Sequence, residues 1–402
     1  MNKSFWQSGH TPTLLASFFY FDLSFMVWYL LGPLAVLMAT DLSLTAQERG
    51  LMVATPTLAG ALLRIVFGVL VDKIGPKRSG LIAQVIVIAA LAAAWLIGVN
   101  SFEQALLLGL FLGVAGAAFA IALPLASRWY PPEHQGTALG IAGAGNSGTV
   151  FAALFAPALA LAYGWQNVFG LALIPLCVAF VVFLVAAKDA PDAPAPKTFA
   201  QYLAVLSDPD AWWFMLFYCL TFGGFIGLAS SLPGYFHDQF GMGPVHAGYA
   251  TAACVLAGSM MRPMGGVLAD RIGGIKSLLS VYGIAALAIV GASMAGGAAS
   301  TIALFIVAML ALGAGNGSVF QLVPQRFARE IGVMTGVIGM AGGVGGFLLA
   351  AGLGVVKQHT GDYRMGLVLF AALLLSGWIG LSKVKSRWRT TWGSSELTSA
   401  RV

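Results

Sequence analysis

Long apolar runs, separated by short polar stretches, recur twelve times along the chain. A helix needs about 20 residues to cross a hydrocarbon core that is about 30 Å thick, and each run comes close to or exceeds that length. The pattern therefore predicts an all-α membrane protein with twelve transmembrane helices. The expected spans are residues 14–39, 48–71, 79–98, 102–126, 136–163, 166–187, 211–236, 243–269, 277–297, 300–327, 332–357 and 363–383.

The longest polar stretch, Lys188–Asp210, contains the sequence APDAPAP and separates the first six spans from the last six. We therefore expect an N-terminal six-helix bundle over residues 1–187 and a cytoplasmic linker over residues 188–210. A C-terminal six-helix bundle follows over residues 211–402 and ends in a short cytoplasmic tail. The remaining loops are too short to hold an extramembrane domain.

The two halves repeat one motif. The aspartates of GVLVDKIG and GVLADRIG are Asp72 and Asp270. Each is preceded, eight residues earlier in the chain, by an arginine, Arg64 in the first half and Arg262 in the second. The halves have the same predicted polarity, so they are parallel repeats and predict two pseudo-symmetric bundles. Transporters built in this way place their substrate near mid-depth at the interface between repeats.

Composition supports a membrane protein and the charges orient it. The chain is 59% hydrophobic and 9% charged, whereas soluble domains are about 25% charged. With both termini in the cytoplasm, sixteen of the 21 Lys and Arg residues fall in cytoplasmic segments, three (Arg49, Lys357, Arg364) in outer segments and two within spans. This bias indicates a multi-pass protein of the inner membrane with cytoplasmic termini. It also explains the net charge of +6 by residues at the membrane surface, so the charge does not indicate nucleic-acid binding.

No pattern in the sequence indicates an enzyme or a cofactor. The three cysteines lie in apolar spans and the five histidines lie in predicted loops or tails. No nucleophile with a base, phosphate-binding loop or metal-ligand spacing occurs in the membrane. We expect neither catalysis nor a bound metal.

The two intramembrane arginines are the strongest functional signal. If Asp72 and Asp270 mark the membrane surface, each guanidinium lies roughly 12 Å deeper, near the middle of the bilayer. A charge at that depth is costly, which indicates a functional role with an anion as partner. A guanidinium group is planar and offers a fork of donors that matches a planar oxyanion.

The loop after the second span resembles the loop motif of the major facilitator superfamily, and the second half repeats it more weakly. The resemblance implies a cytoplasmic charge network that forms and breaks as the halves rock, with glycines that allow close helix contact. The residues implied are Gly68, Asp72, Lys73, Gly75, Arg78, Gly266, Asp270, Arg271 and Gly273.

The glycine-rich fifth and eleventh spans, which contain AGAGNSG and GMAGGVGG, resemble those of the nitrate/nitrite porter family within that superfamily. FYCLTFGGFIG in the seventh span and the arginines in the second and eighth spans extend the resemblance over the whole chain. In that family two arginines bind nitrate with help from aromatic residues and a tyrosine. By resemblance the substrate-binding residues are Arg64, Arg262, Tyr218, Asn146, Phe119 and Phe222.

Asp22, in the first span, is the only acid that we predict to be embedded in the membrane. The exchanging branch of the nitrate/nitrite porter family is apolar in this part of the span. Asp22 is therefore a candidate proton carrier. The alternative is that it only forms a cap or a hydrogen bond near the inner end of the span.

These observations predict a secondary transporter that imports nitrate, and nitrite as a second cargo, by alternating access and proton symport for nitrate assimilation. The partners are the anion, protons and the lipid bilayer, and we expect a monomer. Nitrate/nitrite antiport and transport of oxalate or formate remain alternatives. A channel or a membrane sensor is disfavoured, because two arginines at one depth do not line a pore and no signalling domain is present.

Overall fold

The computed structural model describes residues 5–191, 199–327 and 331–392, and within these ranges every regular element is helical. Among these residues, twelve helices or helix pairs are long and apolar enough to cross a membrane. They are Thr11–Asp41, Ala46–Ile74, Pro76–Ile97, Phe102–Ser127, Ile141–Tyr163, Trp165–Ala186, Pro209–Phe240, Pro244–Ile272, Gly274–Met294, Ala298–Arg326, Gly332–Thr360 and Arg364–Thr390.

The predicted fold class and the number of spans are confirmed. The largest difference in bounds is at the end of the last span, where the helix continues to Thr390 and includes Lys383, Lys385, Arg387 and Arg389. Of the basic residues that we assigned to the cytoplasmic side, Lys3, Lys197, Arg329 and Arg401 lie outside the described residues. Short helices also form outside the spans, at Phe5–Gln7 and Phe199–Val205.

The surface is that of an integral, multi-pass membrane protein. Large apolar side chains such as Leu96, Ile97, Val185 and Leu287 are about three-quarters exposed. Side chains of this kind in such numbers would be a liability in water, whereas lipid tails cover them at no cost.

The chain forms two compact units. The first contains the described residues up to Ser43 together with Thr55–Phe199, and the second contains Leu44–Ala54 with the described residues from Ala200 onward. The opening turns of the second span, which begins at Ala46, thus group with the second unit.

Three of the first unit's spans are interrupted. The first span is built from helices Thr11–Trp28 and Leu31–Asp41, and the fourth from Phe102–Gly116 and Ala118–Ser127. Pro33 has no N–H to bond the carbonyl of Tyr29, which accounts for the first break.

In the fifth span, helix Pro132–Gly143 continues through a 3-10 turn, Ala144–Ser147, into helix Gly148–Tyr163. A stretch of 3-10 helix inside a longer helix often marks strain or a hinge. This turn contains Asn146, which the sequence places among the candidate substrate residues.

In the second unit a polar cluster holds the start of the second span. The Arg49 guanidinium donates to both carboxylate oxygens of Asp238, and its Nη2 also donates to the Tyr363 hydroxyl at 2.8 Å. That hydroxyl in turn donates to Asp238 Oδ2 at 2.8 Å. Burial raises the pKa of the Tyr363 phenol above its ordinary value, so the hydroxyl keeps the proton with which it donates.

Candidate functional site

Arg64 is buried in the first unit, with 2% of its surface exposed. Its Nε donates to the carbonyl oxygen of Gly116 at 3.3 Å. The guanidinium carbon lies 5.3 Å from the centre of the Phe119 ring and 5.8 Å from that of Trp28. These distances are in the range of cation–π contacts, so the structure brings together Arg64 and Phe119, two of the candidate substrate residues, and adds Trp28.

Trp28 is fixed by a hydrogen bond and by close packing. Its indole Nε1 donates to the carbonyl oxygen of Pro56 at 2.7 Å. A Cβ atom on Gly116 would come within 2.4 Å of that indole, so glycine is needed there. Our sequence reasoning missed Trp28, because the sequence position of an aromatic residue in an apolar span does not show which neighbour it faces.

Arg262 has a matching environment in the second unit. Its Nη2 donates to the Tyr218 hydroxyl at 3.3 Å, and its guanidinium carbon lies 5.8 Å from the centre of the Phe320 ring. The Tyr218 ring stacks on Phe222 at 5.1 Å and meets Phe320 edge-on at 5.0 Å. The structure therefore brings together three predicted residues, Arg262, Tyr218 and Phe222, and adds Phe320, which the sequence analysis missed.

Glycines let the neighbouring helices reach these side chains. A Cβ atom on Gly342, in the eleventh span, would lie 2.6 Å from the Tyr218 ring and 3.0 Å from that of Phe222. In the tenth span a Cβ atom on Gly317 would lie 2.2 Å from the backbone carbonyl oxygen of Arg262. The glycine-rich segments thus allow backbone and ring contacts that any larger residue would block.

Asn146 is 5% exposed and lies in the 3-10 turn of the fifth span. Its backbone carbonyl accepts from Thr149 Oγ1 at 2.8 Å. Within the part of the chain that the structure describes, its side-chain Oδ1 has no hydrogen-bond partner. A buried acceptor without a donor is costly, so a ligand here has to donate to Oδ1, or accept from the side-chain NH2 as an anion would.

Asp22 is 5% exposed and lies eleven residues from the first residue of its span. Its Oδ1 accepts a hydrogen bond from Ser147 Oγ at 2.6 Å. The carboxyl group is therefore far from the end of the helix and contacts the residue that follows Asn146.

The loop motif of the first unit forms a polar network that extends beyond the motif itself. Asp72 pairs with Arg128 Nη2 at 3.1 Å. Gly75 has φ of +88°, in the region that favours glycine, and the N–H of Lys77 donates to Asp189 Oδ1 at 2.9 Å. Asp189, from the predicted linker, thus caps the third span. Gly68 is half-buried, while Lys73 and Arg78 are exposed.

The second copy of the motif has different partners. Gly273 again has a positive φ, +96°, whereas Asp270 and Arg271 are exposed and Gly266 is half-buried. Arg326 occupies the place that Arg128 has in the first half, but its guanidinium donates to Asp208 at 2.5 Å and to Asp210 at 3.0 Å. Asp210 also accepts from Arg387 and from the Trp388 indole.

Among the described residues, no group of three or more His, Cys, Asp or Glu side chains is placed to hold a metal ion. What the arginine and aromatic clusters offer is recognition of an anion. Each mid-span guanidinium supplies a fixed positive charge with planar donors, and the rings beside it are apolar walls.

Comparison with known proteins extends these observations. The family described as Major Facilitator Superfamily matches residues 17–350. The chain is 35% identical to the "Probable nitrate/nitrite transporter NarK2" of Mycobacterium tuberculosis over 91% of this chain and 94% of that protein. It is 32% identical to the "Nitrite extrusion protein" of Bacillus subtilis, covering 88% and 89%. It is 34% identical to the "Probable nitrate transporter NarT" of Staphylococcus carnosus, covering 89% and 93%.

Solved structures share the fold. A bacterial homolog of the human lysosomal transporter Spinster, crystallised in an inward-facing and occupied conformation, superimposes with a TM-score of 0.73. The alignment covers 93% of this chain and 96% of that one at 17% sequence identity.

Proposed function

The chain belongs to the nitrate/nitrite porter family of the Major Facilitator Superfamily, and we propose that it imports nitrate into the cell by proton symport. The observation that carries the proposal is the setting of Arg64 and Arg262, each in mid-span and each beside aromatic rings. Both arginines bind the anion, with Tyr218, Phe222, Phe119 and Asn146 as the other substrate-binding residues that we infer.

The chemistry of nitrate fits these side chains. Nitrate is a small, planar monoanion with three acceptor oxygens, and a guanidinium group can donate two parallel hydrogen bonds to two of them. Aromatic rings pack against flat faces and exclude water, which strengthens the electrostatic attraction. Nitrite has the same charge and a similar flat shape, so it is a second cargo in the proposal.

Import of an anion requires a driving force. A membrane potential that is negative inside opposes entry by about 2.3 kcal/mol per charge per 100 mV. Co-transport of more than one proton overcomes this barrier, and Asp22 is the carrier that we infer for one of these protons. The protein acts in the inner membrane as a monomer with both termini in the cytoplasm, and its transport supplies nitrate for assimilation.

Exchange of nitrate for internal nitrite is the second candidate. It is supported by the relative in Bacillus subtilis that is named a nitrite extrusion protein. Exchange moves one negative charge each way, so the potential does not oppose it, and it needs internal nitrite instead of protons.

Uptake of labelled nitrate into proteoliposomes separates the two mechanisms. Without internal nitrite, an inward proton gradient is expected to drive uptake at least ten-fold above the rate without a gradient. Asp22→Asn is expected to abolish this stimulation, and Asp362→Asn, which changes an exposed carboxylate, serves as the matched control. Uptake that ignores the gradient and requires internal nitrite would establish exchange.

Tyr218→Phe tests the role of the phenol beside Arg262. The variant keeps the ring stack on Phe222 but loses the hydroxyl that accepts from the guanidinium. Since a hydrogen bond to a charged group contributes about 1.5–3 kcal/mol, the KM for nitrate is expected to rise roughly ten-fold.

The matched control for this variant is Tyr282→Phe in the same unit, because Tyr282 donates to the backbone oxygen of Phe217 at 3.1 Å. It is expected to lower the Tm with little change in KM. An unchanged KM in Tyr218→Phe would remove Tyr218 from the substrate-binding residues.

A further inference from the structure

The Ser147 hydroxyl lies between two acceptors. Its Oγ is 2.6 Å from Asp22 Oδ1 and 2.9 Å from the backbone carbonyl oxygen of Ala144. A serine hydroxyl carries one hydrogen, so it can donate to only one of these oxygens at a time. Both distances are nevertheless within hydrogen-bonding range.

The two contacts are satisfied together only when Asp22 carries a proton. The protonated carboxyl group then donates to Ser147 Oγ, and the serine hydroxyl donates to the Ala144 carbonyl. When Asp22 is ionised, it can only accept, and a hydrogen bond to a charged carboxylate is stronger than one to a carbonyl. The hydroxyl then turns toward the carboxylate, and the Ala144 carbonyl loses its side-chain donor. The protonation of Asp22 thus decides which way a single hydroxyl points.

The carbonyl that gains or loses this bond belongs to the 3-10 turn Ala144–Ser147, which holds Asn146. The turn is packed directly against the residues around Asp22. A Cβ atom on Gly145 would lie 2.6 Å from the Phe21 ring, and one on Gly148 would lie 1.7 Å from the backbone oxygen of Asp22. Because neither glycine has room for one more carbon atom, the turn cannot move closer to the residues around Asp22.

Other charged and titratable groups also surround the first span. The elements packed against its first helix carry Arg64, Glu103, Arg128, His134, Tyr163 and Cys177. By its place in its helix Arg64 is the one permanent charge of this set at mid-depth, and its guanidinium lies over Trp28, six residues beyond Asp22.

We propose that Ser147 is a positioning residue that couples the proton on Asp22 to the shape of the turn holding Asn146. The inference rests on the proposed symport function and adds the link between proton and anion. With Asp22 protonated, the serine braces the turn and nitrate binds tightly. With Asp22 ionised, the brace is lost and nitrate is held less firmly, so proton and anion bind and leave together.

The test measures nitrate binding to the purified full-length protein as a function of pH. Because one hydrogen bond is at stake, the wild-type affinity is expected to fall about five-fold as the pH rises through the titration of Asp22. Ser147→Ala is expected to bind nitrate with the same affinity across that range. Thr149→Ala is the matched control, since it removes a hydroxyl that donates to the Asn146 carbonyl instead of to Asp22, and it is expected to keep the wild-type pH profile.

Asp22→Asn gives a second test, independent of how well Ser147→Ala folds. An amide cannot titrate, so this variant is also expected to bind nitrate independently of pH. If the wild type is pH-dependent and Ser147→Ala or Asp22→Asn follows the same profile, the relay is wrong while symport stands. If wild-type binding does not depend on pH at all, the relay is overturned, and symport is then decided by the uptake experiment with the proton gradient.

Discussion

Replacing Arg262 with lysine is expected to lower the affinity for nitrate by at least about ten-fold. Lysine keeps the positive charge but has no planar fork, so it cannot donate in parallel to two nitrate oxygens. It also loses the flat group that lies over Phe320 and donates to Tyr218. The measurement is nitrate binding by the purified variant, with uptake as a second readout.

Arg64→Lys is expected to have an effect of similar size, because Arg64 is almost completely buried and its guanidinium lies close to two rings. Arg389→Lys, an exposed change in the last span, is the matched control and should bind normally. Normal affinity in both the Arg64 and the Arg262 variant would place the substrate elsewhere in the protein.

Gly148→Ala is expected to reduce transport at least ten-fold, or to prevent accumulation of folded protein. The new methyl group would lie 1.7 Å from the backbone oxygen of Asp22 and 2.9 Å from the backbone N of Met26. Backbone atoms in a packed helix cannot move aside cheaply, and overpacking typically costs about 1–3 kcal/mol or more. Transport rate and Tm should both fall.

The same span offers a matched control. Gly143 has nothing within 4 Å of the position that a Cβ atom would occupy. Gly143→Ala is therefore expected to be neutral, or to raise stability by up to about 1 kcal/mol, because alanine favours helix over glycine. Equal behaviour of the two variants would mean that the fifth span does not pack closely on the first.

The sequence predicts the spans well because hydrophobic length is a property of the chain itself. It also identifies Arg64 and Arg262 as candidate functional residues, since a charge in an apolar run stands out whichever way the helix faces. Tyr218 and Phe222 share a helix face through their spacing of four, and in the structure they stack.

Phe320 and Ser147 were not predicted, for a physical reason. A span that is apolar all round carries no hydrophobic stripe, so its pattern does not fix its rotation about its own axis. Which of the 26 phenylalanines faces an arginine is then decided by packing between helices. Ser147 lies in addition in a 3-10 turn, which places its side chain differently from the regular α-helix that the sequence predicts for the fifth span.

The close approach of Gly317 to the backbone of Arg262 has a consequence for the size of anion that can bind beside Arg262. Two helix backbones that touch cannot approach further, so the point from which the Arg262 side chain extends is fixed from that side. Helices held apart in this way do not move closer together around a smaller ion. At the proposed nitrate site, chloride, which is spherical and smaller than nitrate, would leave a gap beside the rings and lose attractive contacts there. We therefore expect the same glycine that admits the neighbouring helix to help the site discriminate by size.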